Sequence, residues 1–287
     1  MSAENRLRVL DKERIEIAVL FPSATLVSSY LQPDFAAAMV IAHNNWIFDY
    51  VRPHAERLYF AAPVALYDVD QAEAEARRAV DQLHAVAVTI RPNPTSGRTL
   101  DDPSYDSLYA AIQELDVPLC VHESTGCQET AAGDRYGGMM DPASYAFNHV
   151  ISHPFEQMFA MMSLICGGVL ERFPNLKVGF LEAGCSWVPY WLARLDDHYE
   201  HRNLGRYMPL LKMRPSEYFH RQCIVSCDPG DPTIGLAVAG IGAERIMFAT
   251  DYPHFDSGGG AVSAFLSCKG IAPDDQRKIL HDNARVF

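Results

Sequence analysis

Two short apolar runs end in side chains that can do chemistry. Residues 117–124, VPLCVHES, place His122 and Glu123 where an extended apolar stretch stops, and residues 246–257, IMFATDYPHFDS, do the same for Asp251. An imidazole at a strand end can ligate zinc or a similar divalent metal, and a carboxylate can complete that ligand set or accept a proton from water. Each has an ordinary alternative: His122 hydrogen-bonded in the mouth of the fold, Asp251 capping the turn before Pro253. Two such ends far apart in sequence point to a polar site at one rim of a barrel.

Further candidates follow from the same logic. His153, in HVISHPFEQM, precedes a proline that suits the first turn of a helix running through Met161 and Met162. His149 shares its face only if that turn is helical. Glu182 closes KVGFLE at much the same place on its strand as His122 on its own, where a carboxylate binds substrate, acts as base or orients a ligand histidine. The alternatives for it are a cap or a salt bridge. His254 is near enough to Asp251 to exchange protons at the rim. Trp187 opens a helix and reads as a pocket wall, and Glu123 as a substrate contact. Ser226, Cys227 and Asp228 end another strand without forming an ordered nucleophilic triad. Met158, Met161 and Met162 read as core, and Arg194, Asp196 and Asp197 as solvated or structural ion pairs.

These residues need a frame. Strand candidates recur at 15–21, 58–64, 85–90, 117–121, 176–181, 223–226 and 246–249, and helical stretches at 34–50, 70–83, 105–115, 155–173, 188–199, 233–238, 261–267 and 274–283. Strand and helix alternating through one chain, without a glycine-rich phosphate turn, predicts an α/β fold, a (β/α)8 TIM barrel, as one domain over 1–287. Eight strands are wanted and seven are visible. The shortage lies at the front, so the barrel is expected to be distorted or to lack its first strand. The long excursion 125–148 reads as an active-site loop or a partner-contact segment.

The chain has 287 residues, 48% of them hydrophobic, with 24 Lys and Arg against 36 Asp and Glu, for a formal charge of −12. That balance disfavours nucleic acid and anionic membrane as partners. No run approaches the roughly 18 apolar residues that span a bilayer, so a soluble, cytoplasmic protein is expected. Seven cysteines, scattered without zinc spacing, read mostly as buried thiols in a reducing compartment.

Several longer motifs carry a resemblance: VLFPS at 19–23, LCVHE at 119–123, GGVLERFPNLKVGFLEAG at 167–184, WVPYWLARLDDHYE at 187–200 and TDYPHFDS at 250–257. Together they resemble the amidohydrolase-related TIM-barrel family, in the branch of aminocarboxymuconate semialdehyde decarboxylase and related nonoxidative decarboxylases and hydrolases. The resemblance implies that His122 is the metal-binding histidine after strand five and Asp251 the carboxylate after strand eight. Glu182 stands where the decarboxylase branch presents a catalytic histidine. The family's opening strand with two metal-binding histidines one residue apart has no counterpart, since no HxH occurs and the first histidine is His43. The sequence therefore reads as a shortened form of a longer enzyme or a variant with an altered or absent metal centre.

The leading expectation is a metal-dependent hydrolase or nonoxidative decarboxylase acting on a small carboxylated or cyclic substrate, with zinc foremost as the divalent metal. His122 and Asp251 would hold the metal, and Asp251, His153 and Glu182 would move protons. Trp187, His254 and Glu123 would contact the substrate. The competing expectation is a noncatalytic barrel that binds a small molecule or a partner. A homo-oligomer is compatible with both.

Overall fold

Seven short apolar segments form one parallel sheet in strict chain order. They are β1 (Ala18–Leu20), β2 (Leu58–Pro63), β3 (Ala87–Ile90), β4 (Leu119–His122), β5 (Val178–Leu181), β6 (Cys223–Cys227) and β7 (Ile246–Phe248). All seven fall at the expected places. The computed structural model describes residues 1–23, 26, 31–123, 131–136, 142–201, 204–254 and 259–287. No described pairing joins β1 to β7, so among the described residues the sheet is an incomplete (β/α)8 barrel, one strand short and open along that seam.

Helices cover the outside: α1 (Ala3–Glu13), α2 (Pro33–Val51), α3 (Val69–Leu83), α4 (Asp106–Glu114), α5 (Pro142–Cys166), α6 (Val169–Arg172), α7 (Trp187–Glu200), α8 (Pro215–Gln222), α9 (Ile234–Ile241), α10 (Ala261–Leu266), α11 (Pro273–Arg277) and α12 (Asn283–Val286). Two of them escaped the sequence reading. α1 starts at Ser2, whose hydroxyl accepts from the Asn5 N–H at 3.3 Å. α8 has Pro215 at its first position and Glu217 accepting from the Arg214 N–H at 2.9 Å. Both are ordinary N-terminal signals.

The helix expected to begin at Pro154 instead begins at Pro142, with Pro154 inside it. A proline lacks the N–H that a helix interior uses, and here the helix continues through that gap. The consequence is that His149 and His153 share one helix, a turn apart. Of the 125–148 excursion, residues 125–130 and 137–141 lie outside the described residues. The rest forms a 3-10 turn, Ala132–Tyr136, and the first turns of α5.

Apolar burial separates the two faces of the sheet. Val88, Ile90, Leu119, Val121, Val178 and Phe180 pack outward against the helices, in one cluster with Met161, Leu164 and Val188. Ala61, Ala87, Cys120 and Leu181 form an inner layer with Phe21 and Met247 against it. Helix α1 touches both sides of the open seam. Ala3 and Leu10 join Leu20 and Leu58 in a third cluster, while Arg6 Nη1 donates to the Tyr252 carbonyl at 3.4 Å and Glu13 Oε1 accepts from the Gly260 N–H at 2.8 Å. Cys120, Cys185, Cys223 and Cys227 are buried free thiols. Among the described residues no helix is long and apolar enough to cross a membrane.

Candidate active site

Strand alternation decides where His122 points. In β4, Leu119 and Val121 face the helices while Cys120 faces the inner layer, so His122 faces inward at the C-terminal end of its strand. Its Nδ1 donates to the Glu123 carbonyl at 2.8 Å, and Phe21 stacks on its ring at 5.7 Å. These contacts leave Nε2 as the edge turned toward the neighbouring strand.

Glu182 gets to the same place by a different route. His122 pairs in register with Leu181, which already faces inward, so a regular strand would send Glu182 outward. Its φ of +56° breaks that alternation. The carboxylate turns inward, with Oε2 2.9 Å from His122 Nε2 and Oε1 3.4 Å from His153 Nε2 and 3.9 Å from His254 Nδ1. Ser226 Oγ accepts the Glu182 N–H at 3.0 Å and helps hold this turn. Asp251 has the same left-handed backbone, φ +52°, and its Oδ1 lies 2.7 Å from His254 Nδ1. Left-handed conformations of non-glycine residues cost on the order of 1 kcal/mol or more and collect at sites where surrounding contacts impose them.

Helix α5 brings the third element. Gln157 Nε2 donates to both the Val121 and Leu181 carbonyls at 2.9 Å, which ties α5 to the ends of β4 and β5. One turn earlier on the same face, His153 meets Glu182. Its Nδ1 lies 3.2 Å from the His149 carbonyl and 3.2 Å from Ser152 Oγ, and the His149 and His153 rings are 4.7 Å apart. His254 Nε2 lies 3.2 Å from Ser23 Oγ, at the loop after β1.

The electrostatics follow from this packing. Burial alone would raise the Glu182 pKa, but hydrogen bonds and positive charge from His122 and His153 reverse that and hold it well below the usual carboxylate range. Burial would lower the His153 pKa, but the hydrogen bond and charge of Glu182, with the charge of Glu123, leave it raised. His153 and Glu182 are thus set up as an imidazolium and a carboxylate. Behind them, burial pushes the Glu123 carboxyl up to about 7, against the pull of Arg91, whose Nη2 lies 2.7 Å from Glu123 Oε1.

The sequence-derived candidates separate into two groups. His122, His153, Glu182, Asp251 and His254 converge. Glu123 is fully buried and directed to Arg91, and Trp187 is packed in the main core, its indole N–H donating to the Gly184 carbonyl at 3.0 Å. Sequence reading overlooked Arg91 and Gln157. Arg91 follows the apolar strand AVTI just as His122 ends LCVH, so the same strand-end rule would have found it. Gln157 has a weaker signal, its spacing of one helical turn from His153.

Residues 13–287 match the Amidohydrolase family. This chain is an amidohydrolase-family protein. The amidohydrolase is 28% identical over 297 residues to gamma-resorcylate decarboxylase of Rhizobium sp. (strain MTP-10005), covering 98% of this chain and 85% of that one. Its fold superposes on the crystal structure of an amidohydrolase from Mycobacterium avium subsp. paratuberculosis K-10 with a TM-score of 0.83 and 27% identity, covering 99% of this chain and 73% of the other. It is also similar in fold, at a TM-score of 0.78 and 23% identity, to a dihydroxybenzoic acid decarboxylase from Polaromonas sp. JS666 with bound manganese and an inhibitor, 2-nitroresorcinol; 99% of this chain and 84% of that one are covered. The amidohydrolase is, at the level of its family, a metal-dependent hydrolase or nonoxidative decarboxylase.

One expectation about the metal changes here. Zinc is overturned, because solved structures of this fold hold manganese. Asp251 of the expected pair stands among further candidate donors. Glu182, Asp251 and His254 each offer one ligand atom, all within 4.8 Å of one another, and His122 joins that group through Glu182. Two carboxylate oxygens and one imidazole nitrogen suit a divalent ion of the manganese type, which favours oxygen donors. The donors present therefore fit such an ion without an HxH strand.

Proposed function

We propose that the chain is a nonoxidative decarboxylase of a small hydroxylated aromatic carboxylate, with manganese held by Glu182, Asp251 and His254. One observation carries this reading: the imidazoles of His122, His153 and His254 gather on a single carboxylate, Glu182, at the rim of the barrel. Similarity over 98% of the chain to a gamma-resorcylate decarboxylase supports it. A bound divalent ion supplies fixed positive charge for the oxygens of the substrate.

The chain's own residues do the rest. Glu182 keeps His153 charged and oriented, and His153 hands its Nε2 proton to the ring carbon that bears the carboxyl group. The carboxylate then leaves as carbon dioxide, and the electron pair of the broken carbon–carbon bond returns to the ring. His122 holds the second Glu182 oxygen, which keeps that carboxylate from rotating away. Asp251 and His254 fix each other at 2.7 Å on the opposite side.

A hydrolytic reading has one observation in its favour. The Asp251–His254 pair is a carboxylate and an imidazole in direct contact, an arrangement able to take a proton from water. The two readings separate in one experiment. The protein with added manganese is incubated with a panel of hydroxybenzoates and, separately, of lactones and amides. Carbon dioxide release that is abolished in His153→Gln supports decarboxylation. Turnover of lactones or amides alone, or carbon dioxide release indifferent to His153, overturns it.

A further inference from the structure

We infer that Gln157 is a positioning residue, whose buried amide sets how far His153 reaches toward Glu182; this role rests on His153 being the proton donor proposed above. Gln157 is fully buried, and its Nε2 donates to the Val121 and Leu181 carbonyls, both at 2.9 Å. Only an NH2 group can serve two carbonyl oxygens, so these partners fix which way the amide faces. Both carbonyls belong to the peptide units that lead directly into His122 and Glu182. His153 stands four residues before Gln157, one turn along the same face of α5. One amide therefore ties together the backbone origins of Glu182 and of two imidazoles that meet its carboxylate.

Three features make the placement of His153 depend on that amide. Strand β5 stops at Leu181: the next backbone is left-handed, and its N–H goes to the Ser226 hydroxyl at 3.0 Å. Gln157 takes up the last carbonyl of the strand at the point where the chain leaves the sheet. Pro154 has no N–H, so α5 lacks its bond to the Val150 carbonyl immediately after His153. The helix is weakened at the turn that carries the imidazole, and Gln157 pins it at the next. The His153 Nε2–Glu182 Oε1 contact is 3.4 Å, against 2.9 Å for His122, at the edge of hydrogen-bonding range, so a slight withdrawal of α5 breaks it. Stability alone does not account for a glutamine here. Its Oε1 is buried without a hydrogen-bond partner, which is unfavourable, whereas its two N–H groups are both used.

Two measurements test this role, one of them independent of turnover. In metal-free protein, heteronuclear NMR of the histidine rings follows the proton that His153 Nε2 donates to Glu182, assigned by its absence in His153→Gln. The expected result is an exchange-protected signal in the wild type and its loss in Gln157→Met, which keeps the side chain's length and removes both donors. The second measurement uses the manganese-loaded enzyme and whichever hydroxybenzoate of the panel the wild type turns over fastest. Gln157→Met should lower kcat by about 10–100-fold and leave KM within about twofold, since a misplacement of about 1 Å costs about 100-fold in the chemical step. Gln157→Glu, kept neutral by burial against two carbonyl oxygens, offers one O–H donor and should fall between the two. A His153 signal that persists in Gln157→Met overturns the proposal, as does a loss confined to KM. Should the wild type decarboxylate no member of the panel, the NMR comparison decides alone, so failure of the reaction and failure of the positioning role are read separately. Should Gln157→Met fail to fold, Gln157→Asn takes its place, drawing the amide back by one methylene. A weakened His153 signal there upholds the role, and a signal equal to that of the wild type rejects it.

Discussion

Glu182 Oε2 lies 2.9 Å from His122 Nε2 although a regular strand would place the two side chains on opposite faces of the sheet. The contact exists because the backbone at Glu182 is left-handed. The paired histidines of an opening strand, which the resemblance implies, are absent from this sequence, and the inward turn brings this carboxylate within 4.8 Å of ligand atoms of Asp251 and His254.

That geometry predicts a specific order among substitutions at one position. Glycine adopts a φ of +56° without strain, whereas an L side chain there costs on the order of 1–2 kcal/mol. Glu182→Gly should therefore be more stable than Glu182→Ala by about 1 kcal/mol, reversing the usual order of the two residues. Urea unfolding of both variants without metal gives the answer, and an alanine variant as stable as the glycine one would refute the left-handed turn.

Manganese affinity should depend on the charge of Glu182 rather than its shape. Glu182→Gln keeps the side chain's size and removes the carboxylate from the donor group with Asp251 and His254. Losing even an outer partner of a metal ligand commonly costs about 10–100-fold in affinity, so a loss at or beyond the top of that range is expected. Titration followed by the electron paramagnetic resonance signal of free manganese reads it directly. Unchanged affinity would place the ion elsewhere.

The His153–Glu182 pair should leave a signature in stability against pH, measured on metal-free protein. The His153 pKa is raised from an ordinary 6.5, so its contribution is fully present below about 6.5 and is lost as the pH rises through its folded value. The Glu182 pKa is lowered from an ordinary 4.5, so its contribution is present above 4.5 and is lost as the pH falls toward its folded value. The stability gap between wild type and His153→Gln should be widest between these limits and should shrink in alkaline solution. A gap of the same size at about pH 5.5 and about pH 9 would contradict the pairing.

Arg91 and Glu123 are both buried, at 2.7 Å, directly behind His122. Removing one partner strands the other, so Arg91→Met should destabilise by roughly 3–5 kcal/mol. The double variant Arg91→Met/Glu123→Leu should recover most of that, because no buried charge then lacks a partner. Chemical denaturation of the two single variants and the double variant measures the coupling. Strict additivity would mean that the pair is not coupled.

Most of the frame was legible in the chain itself. Strands buried on both faces are written as short apolar runs, and helices as longer amphipathic ones, so β1 to β7 and most of the helices follow from local pattern. His122 and Asp251 stand out because a polar residue that closes an apolar strand must lie at the rim. The lack of HxH is a sequence fact as well, and the seven strand candidates agree with the seven-stranded sheet of the described residues. What local pattern could not supply was the centre of the site. Glu182 turns inward only because its backbone leaves the strand conformation, and its distances to His122, His153 and His254 join β4, α5 and the loop after β7 across long stretches of chain. The burial of Trp187 and the pairing of Glu123 with Arg91 are likewise set by neighbours remote in sequence. Periodicity is a property of a segment and can be read from it. Convergence of charged groups is a property of how segments pack, and only the folded chain decides it.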